Sequence, residues 1–124
     1  MKSFFNFCLL FLLCASSFSW GATLCENISS EEGVEKIIPD LKNVQYLEFF
    51  ASWCGECKLK IQRNLKDGKT ADRIYVALWD DIDASNRVMK HFDVKSKCFF
   101  DAKGLLAKRF KVSKVPTTIE SRFK

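Results

Sequence analysis

Histidine is almost absent from this chain: His91 is the only one. The cysteine pair in Cys54-Gly55-Glu56-Cys57 has no second C-x-x-C or H-x-x-x-H segment to go with it. Four-ligand zinc sites normally need such a second pair, so the scarcity argues against structural zinc at these cysteines. Long hydrophobic runs are also missing. The apolar run near the start, Phe4 to Leu13, is about half of the ~20 residues a spanning helix needs, which favours a cleaved leader over a retained anchor. No repeat or low-complexity segment interrupts the chain. Its 124 residues, 48% hydrophobic and 28% charged, suit one globular domain with a real core.

What is present begins with Lys2, the apolar run and then small residues, the three regions of a secretory signal. Residues 1–21 are read as a signal peptide and residues 22–124 as the mature domain, with cleavage after Gly21 preferred and Ser17 and Ala22 as other positions. The protein is therefore expected to be exported, to the periplasm or another extracytoplasmic space. Lipidation at Cys14 is disfavoured by bulky Leu13 before it. Loss of this segment removes one lysine and no acid, lowering the formal charge from +5 to +4. That excess is mild and interleaved, so no nucleic-acid partner is expected. Cys8 and Cys14 leave with the signal, and Cys25, Cys54, Cys57 and Cys98 remain. Four cysteines in an exported domain permit two disulfides and three pairings.

The periodicity places helices and strands in alternation. Ser29-x-x-Glu32 predicts a capping box, with Val34, Ile37 and Ile38 on one helical face until Pro39 interrupts. "VQYLEFFA" from Val44 predicts a strand buried on both faces, with Glu48 the exception. A helix starting at the cysteine pair carries Cys57, Leu59, Ile61 and Leu65 and ends at Gly68. "RIYVALW" is a second buried strand. A helix over Ala84 to Phe92 follows, N-capped by Asp83, with Val88, Met89 and Phe92 inward. "KCFFDAKG" predicts a strand and turn, "LLAKRF" a short helix, and the loop with Pro116 enters a last strand. The order α, β, α, β, α, β, α, β implies an α/β sheet with parallel central strands.

A thiolate is the species that attacks a disulfide, and a helix N-terminus lowers the thiol pKa by offering N–H groups and a positive dipole end. The first cysteine of C-x-x-C then serves as nucleophile, and the second, one turn on, attacks back. A strand, loop and helix around Cys54 and Cys57 supply that arrangement, which favours a redox couple over a static bridge.

"YLEFFASWCGECK" resembles the active-site segment of the thioredoxin superfamily, and "KVPTT" resembles its cis-proline loop. The intervening "KHFDVKSKCFFDAKGLLAKRFKVSKVPTT" is similar to the helix, strand and D-x-x-G turn of the TlpA/ResA-like exported thiol-disulfide oxidoreductases. The resemblance covers roughly Val44 to Ile119. It implies a thioredoxin-like α/β fold, a central mixed sheet flanked by helices, and a dithiol reaction without a bound cofactor. It also implies that Cys54 is the exposed nucleophile and Cys57 the buried resolving thiol. Trp53 would shape the rim of the substrate groove, Pro116 would be cis against the cysteines, and the Val115 backbone would pair with a substrate strand. Expected partners are proteins with disulfides, apocytochrome c among them, and a membrane-bound or soluble thiol electron donor.

Glu48 stands where thioredoxin carries a buried aspartate. A buried carboxylate without a partner has a raised pKa and can take the proton from the resolving thiol, so Glu48 is a candidate general base for Cys57. Glu56 replaces the usual proline. Its charge either disfavours the Cys54 thiolate, making the protein more reducing, or points into water and is screened. Cys25 and Cys98 could form a second, structural bridge, stay as two thiols, or link chains through Cys25. His91 is placed on a solvated helix face, and "WDDID" at a strand end and helix cap, with a cation site as the sharper alternative. The same fold also hosts disulfide oxidases and isomerases, copper chaperones that would use Cys54 and Cys57, and plain binding modules. After Thr117 the family continues through a further strand and helix, which this chain is expected to lack. That predicts an exposed apolar face and unpaired edge, closed by the N-terminal segment, by a dimer or by a partner, or left weak.

Overall fold

A computed structural model describes residues 24–120. The signal-peptide expectation for residues 1–21, with Cys8, Cys14 and the cleavage site, lies outside the described residues, as does the charged end, residues 121–124. The elements are β1 (Glu26–Ile28), α1 (Glu31–Asn43), β2 (Tyr46–Phe50), α2 (Gly55–Lys66), β3 (Arg73–Leu78), α3 (Ile82–His91), β4 (Cys98–Asp101), α4 (Leu105–Arg109) and β5 (Thr117–Glu120). They form one sheet of order β1-β4-β3-β2-β5. The first four strands in that order run parallel, and β5 is antiparallel to β2.

Each face of this sheet carries its own core, because successive side chains of a strand point to opposite sides. Phe50, Tyr75, Ala77, Cys98 and Phe100 pack on one side with Cys57 and Ile61 of α2 and with Val88 and Met89 of α3. Leu47, Phe49, Ile74, Val76, Leu78 and Phe99 pack on the other, with Val34, Ile37 and Leu41 of α1 and Leu106 of α4. Both central strands are buried on both faces, which is why they read as continuous apolar runs.

Several boundaries differ from the sequence reading. Ser30 rather than Ser29 caps α1, its hydroxyl oxygen accepting from the Gly33 N–H at 3.0 Å. The helix then continues through Pro39 to Asn43. Its buried face runs from Val34 and Ile37 on to Leu41, so packing beyond the proline outweighs the single backbone hydrogen bond the proline removes. Asp81 rather than Asp83 caps α3, accepting from the Ala84 N–H at 3.1 Å. Of the apolar residues read on α2, Leu59 is exposed. β1, absent from the predicted order, pairs with β4 along the register Glu26 to Phe99, Asn27 to Phe100 and Ile28 to Asp101. A three-residue edge strand is too short to show a period of two.

The apolar face expected at the C-terminal edge is also absent among the described residues. The exposed large hydrophobic side chains are Leu24, Trp53, Leu59 and Trp79, none of them on β5. Ile119 is half-buried, and the Thr118 hydroxyl is engaged by Glu48 and Lys60.

Candidate active site

The cysteine pair sits where β2 leaves the sheet. Ala51 is buried, the chain turns through Ser52 and Trp53 with the Cys54 N–H donating to the Ala51 carbonyl at 3.1 Å, and α2 begins at Gly55. Cys54 itself is the N-cap. Its sulfur accepts from the Cys57 N–H at 3.1 Å, filling the place a serine or aspartate oxygen usually takes. Cys54 and Cys57 are joined as a disulfide with their Cα atoms 5.2 Å apart. Cys57 is 1% exposed and Cys54 8%, so the first cysteine is less open than an exposed nucleophile was expected to be. Trp53 beside it is 63% exposed.

The Val115–Pro116 peptide is cis, and the Val115 carbonyl oxygen lies 3.8 Å from the Cys54 sulfur. The loop before β5 thus faces the cysteine pair across the β2–α2 turn. Two further contacts hold that turn from the opposite flank, and neither was read from the sequence. The Trp53 indole N–H donates to the Trp79 carbonyl at 2.8 Å, with Trp79 in the left-handed region at φ 53°. Asp80 accepts from both the backbone N–H and the hydroxyl of Ser52, at 2.6 and 2.7 Å, and from the Ser85 hydroxyl and the Asp81 N–H. Burial pushes the Asp80 carboxyl up, but these hydrogen bonds, Ser52 foremost, outweigh it and hold the group below its ordinary value. "WDDID" is therefore a clamp on the active-site turn followed by a helix cap. The signal available in the sequence was an acidic pair directly after a buried strand.

Glu48 is buried as expected, at 1% exposed, but it is not alone. Its Oε1 accepts from Arg73 Nη1 at 2.9 Å and from the Thr118 hydroxyl at 3.2 Å, and its Oε2 from Asn64 Nδ2 at 2.8 Å. Lys60 Nζ approaches to 3.9 Å. A lone buried carboxylate was the premise for a general base, and that premise is not met. Arg73, itself flanked by Asp72 and stacked over the Tyr46 ring, is held above its ordinary value by those acids despite the opposing pull of burial. Asn64 reaches on to the Tyr75 hydroxyl at 3.3 Å, and burial pushes that phenol up to about 12, so it stays protonated.

The other sequence candidates are placed as follows. Glu56 is exposed on the first turn of α2. His91 is exposed at the end of α3. Cys25 and Cys98 form a disulfide that ties the segment before β1 to the start of β4. Asp101 of the D-x-x-G turn is buried and accepts from the Leu106 and Ala107 N–H groups, seating α4. Among the described residues, no third His, Cys, Asp or Glu joins the cysteine pair in a cluster that could hold a metal ion.

A solved structure shares this fold. It is that of a secreted Mycobacterium tuberculosis disulfide oxidoreductase homologous to E. coli DsbE, with a TM-score of 0.58 and 17% identity, covering 68% of this chain and 67% of that one. The chain has a thioredoxin-like fold. No protein-family model and no curated protein matches the sequence. Within the thioredoxin-like fold, Cys54 ends the turn between a central strand and the helix that follows it, Cys57 lies in the first turn of that helix, and Pro116 precedes the antiparallel strand beside β2.

Proposed function

We propose that this protein is an extracytoplasmic thiol-disulfide oxidoreductase of the TlpA/ResA-like kind that reduces protein disulfides through Cys54 and Cys57. One observation carries the reading: the Cys54 sulfur caps α2, accepts the Cys57 N–H at 3.1 Å and is bonded to a buried cysteine one turn on. In the reduced protein the same N–H and the helix dipole favour the Cys54 thiolate. That thiolate attacks one sulfur of a substrate disulfide. The substrate S–S bond breaks, its other sulfur leaves as a thiolate and takes up a proton, and a mixed disulfide with Cys54 forms. Cys57 then loses its proton and attacks the Cys54 sulfur, releasing the second substrate thiol. Two electrons pass from the dithiol to the substrate, and Cys54–Cys57 is left oxidised until a membrane or soluble thiol donor restores it.

The Val115 backbone, beside the cysteine sulfur, would pair with the substrate strand, and Trp53 would cover it. Substrates would be exported proteins with disulfides, apocytochrome c among them, and the outer edge of β5 is where a second copy or partner would add. The test is a redox titration of residues 22–124 against glutathione and dithiothreitol, with trapping of substrate by a Cys57→Ser variant. A potential near that of thioredoxin, about −270 mV, and trapped mixed disulfides support reduction. A potential near about −120 mV would make the protein an oxidase instead.

A further inference from the structure

Beside the active-site turn lies an open pocket of about 440 Å³, walled by Ser52 and Lys58 on one side and by Arg87 and His91 of α3 on the other, with Val88 and Phe92 at its floor. Lys58, Arg87 and His91 are exposed, Val88 is buried and Phe92 half-buried. None of the three basic side chains takes part in an ion pair among the described residues. Lys60, Arg73, Lys95, Lys97 and Arg109 do. No carboxylate lines the pocket. The nearby Asp80 is turned to Ser52 and Ser85, with four hydrogen bonds on its two oxygens. Ser52 is two residues before Cys54, so the pocket adjoins the turn that carries the cysteine pair.

We infer that this pocket docks an acidic segment of the protein substrate, whose carboxylates meet Lys58, Arg87 and the His91 ring N–H while its apolar side chains settle on Val88 and Phe92. Charge complementarity carries the choice of occupant. Two fixed cations and a ring donor around an apolar floor favour a carboxylate-bearing, partly apolar peptide and disfavour a basic one. The inference names the substrate class for the oxidoreductase reading and rests on it for its purpose.

The test is binding, by fluorescence anisotropy, of a labelled cysteine-free decapeptide rich in Glu and Leu, against its Glu-to-Gln analogue, with the oxidised wild-type protein. At low salt the acidic peptide is expected to bind about fivefold or more tightly, and the preference to fade as the Debye length falls to about 3 Å near 1 M salt. In R87Q/H91Q the preference should drop to about twofold or less. Equal binding of the two peptides by wild type, or an unchanged preference in the double variant, would overturn the inference. Preference for phosphatidylglycerol vesicles with none between the peptides would assign the basic wall to a lipid surface and overturn it as well. Reduction of hydroxyethyl disulfide, a small neutral substrate, by the same wild-type preparation after its Cys54–Cys57 bond has been reduced with dithiothreitol and the excess removed reports separately on the dithiol chemistry. Turnover without peptide preference removes the docking inference alone, whereas peptide preference without turnover supports docking and removes the oxidoreductase reading.

Discussion

Arg73 Nη1 stands 2.9 Å from Glu48 Oε1 with both side chains almost wholly buried. Removing one partner of such a pair strands the other in a low-dielectric interior, which typically costs about 3–5 kcal/mol, whereas replacing both together costs far less. Asp72 still faces Arg73, so Glu48→Ala is expected at the lower end, about 3 kcal/mol, by urea denaturation. The double variant E48L/R73L should recover most of that loss. Glu48→Gln keeps an oxygen for Asn64 and separates structure from catalysis. Stability should fall while substrate release from Cys54 at neutral pH slows by less than about threefold. A slowing of about 10²-fold or more, in the range of general-base catalysis, would restore the base role.

The site was legible where chemistry and sequence coincide. "WCGECK" and "KVPTT" are short segments whose residues act through their own backbone, and the structure brings them together at Cys54 and Val115. The central strands were legible for a similar reason, since β2 and β3 are apolar throughout. Partners distant in sequence were not. Glu48 reads as an isolated acid because Arg73 lies 25 residues away and becomes its neighbour only through the parallel pairing of β2 with β3. Asp80 reads as a cap because nothing local shows that Ser52, 28 residues earlier, is its partner.

Two carboxylates should bend the pH dependence of stability in opposite directions. Asp80 is lowered in the folded state from 3.8, so its contribution is present above about 3.9, the unfolded value, and is lost as pH falls through the lower folded value. Asp101 is raised from 3.8, because burial outweighs its hydrogen bonds from Leu106, Ala107 and Leu105. Its ionisation therefore opposes folding, and stability declines as pH rises from about 3.9 through its folded value. Urea denaturation across the acid range should show Asp80→Asn flattening the loss at low pH and Asp101→Asn steepening the acid limb.

The Cys25–Cys98 bridge spans 73 residues, a large loop for one domain, and closes it with both cysteines in the core. Chain-entropy reasoning gives such a loop about 4 kcal/mol through the unfolded state. For a domain of this size that corresponds to a melting temperature lower by about 15–30 °C in C25A/C98A under non-reducing conditions. Turnover of hydroxyethyl disulfide at low temperature should persist, because the turn that carries Cys54 and Cys57 is held by other contacts.

Cys54 is at once the proposed nucleophile and the residue that ends the β2–α2 turn by capping the helix, which makes the two roles separable by substitution. Cys54→Ser and Cys54→Ala both abolish the Cys54–Cys57 bond and with it dithiol turnover. They differ in the cap. A serine oxygen can still accept the Cys57 N–H that the sulfur accepts at 3.1 Å, while alanine leaves that donor without a side-chain partner at a turn whose cysteines are both buried. Loss of an N-cap acceptor costs about 0.5–2 kcal/mol, so Cys54→Ala should be less stable than Cys54→Ser by about 1 kcal/mol in urea denaturation. Because the missing disulfide is common to both variants, the difference isolates the cap. Equal stabilities would mean that the sulfur contact does not stabilise α2, and would weaken the case that this N–H is aimed at Cys54 for the sake of its thiolate.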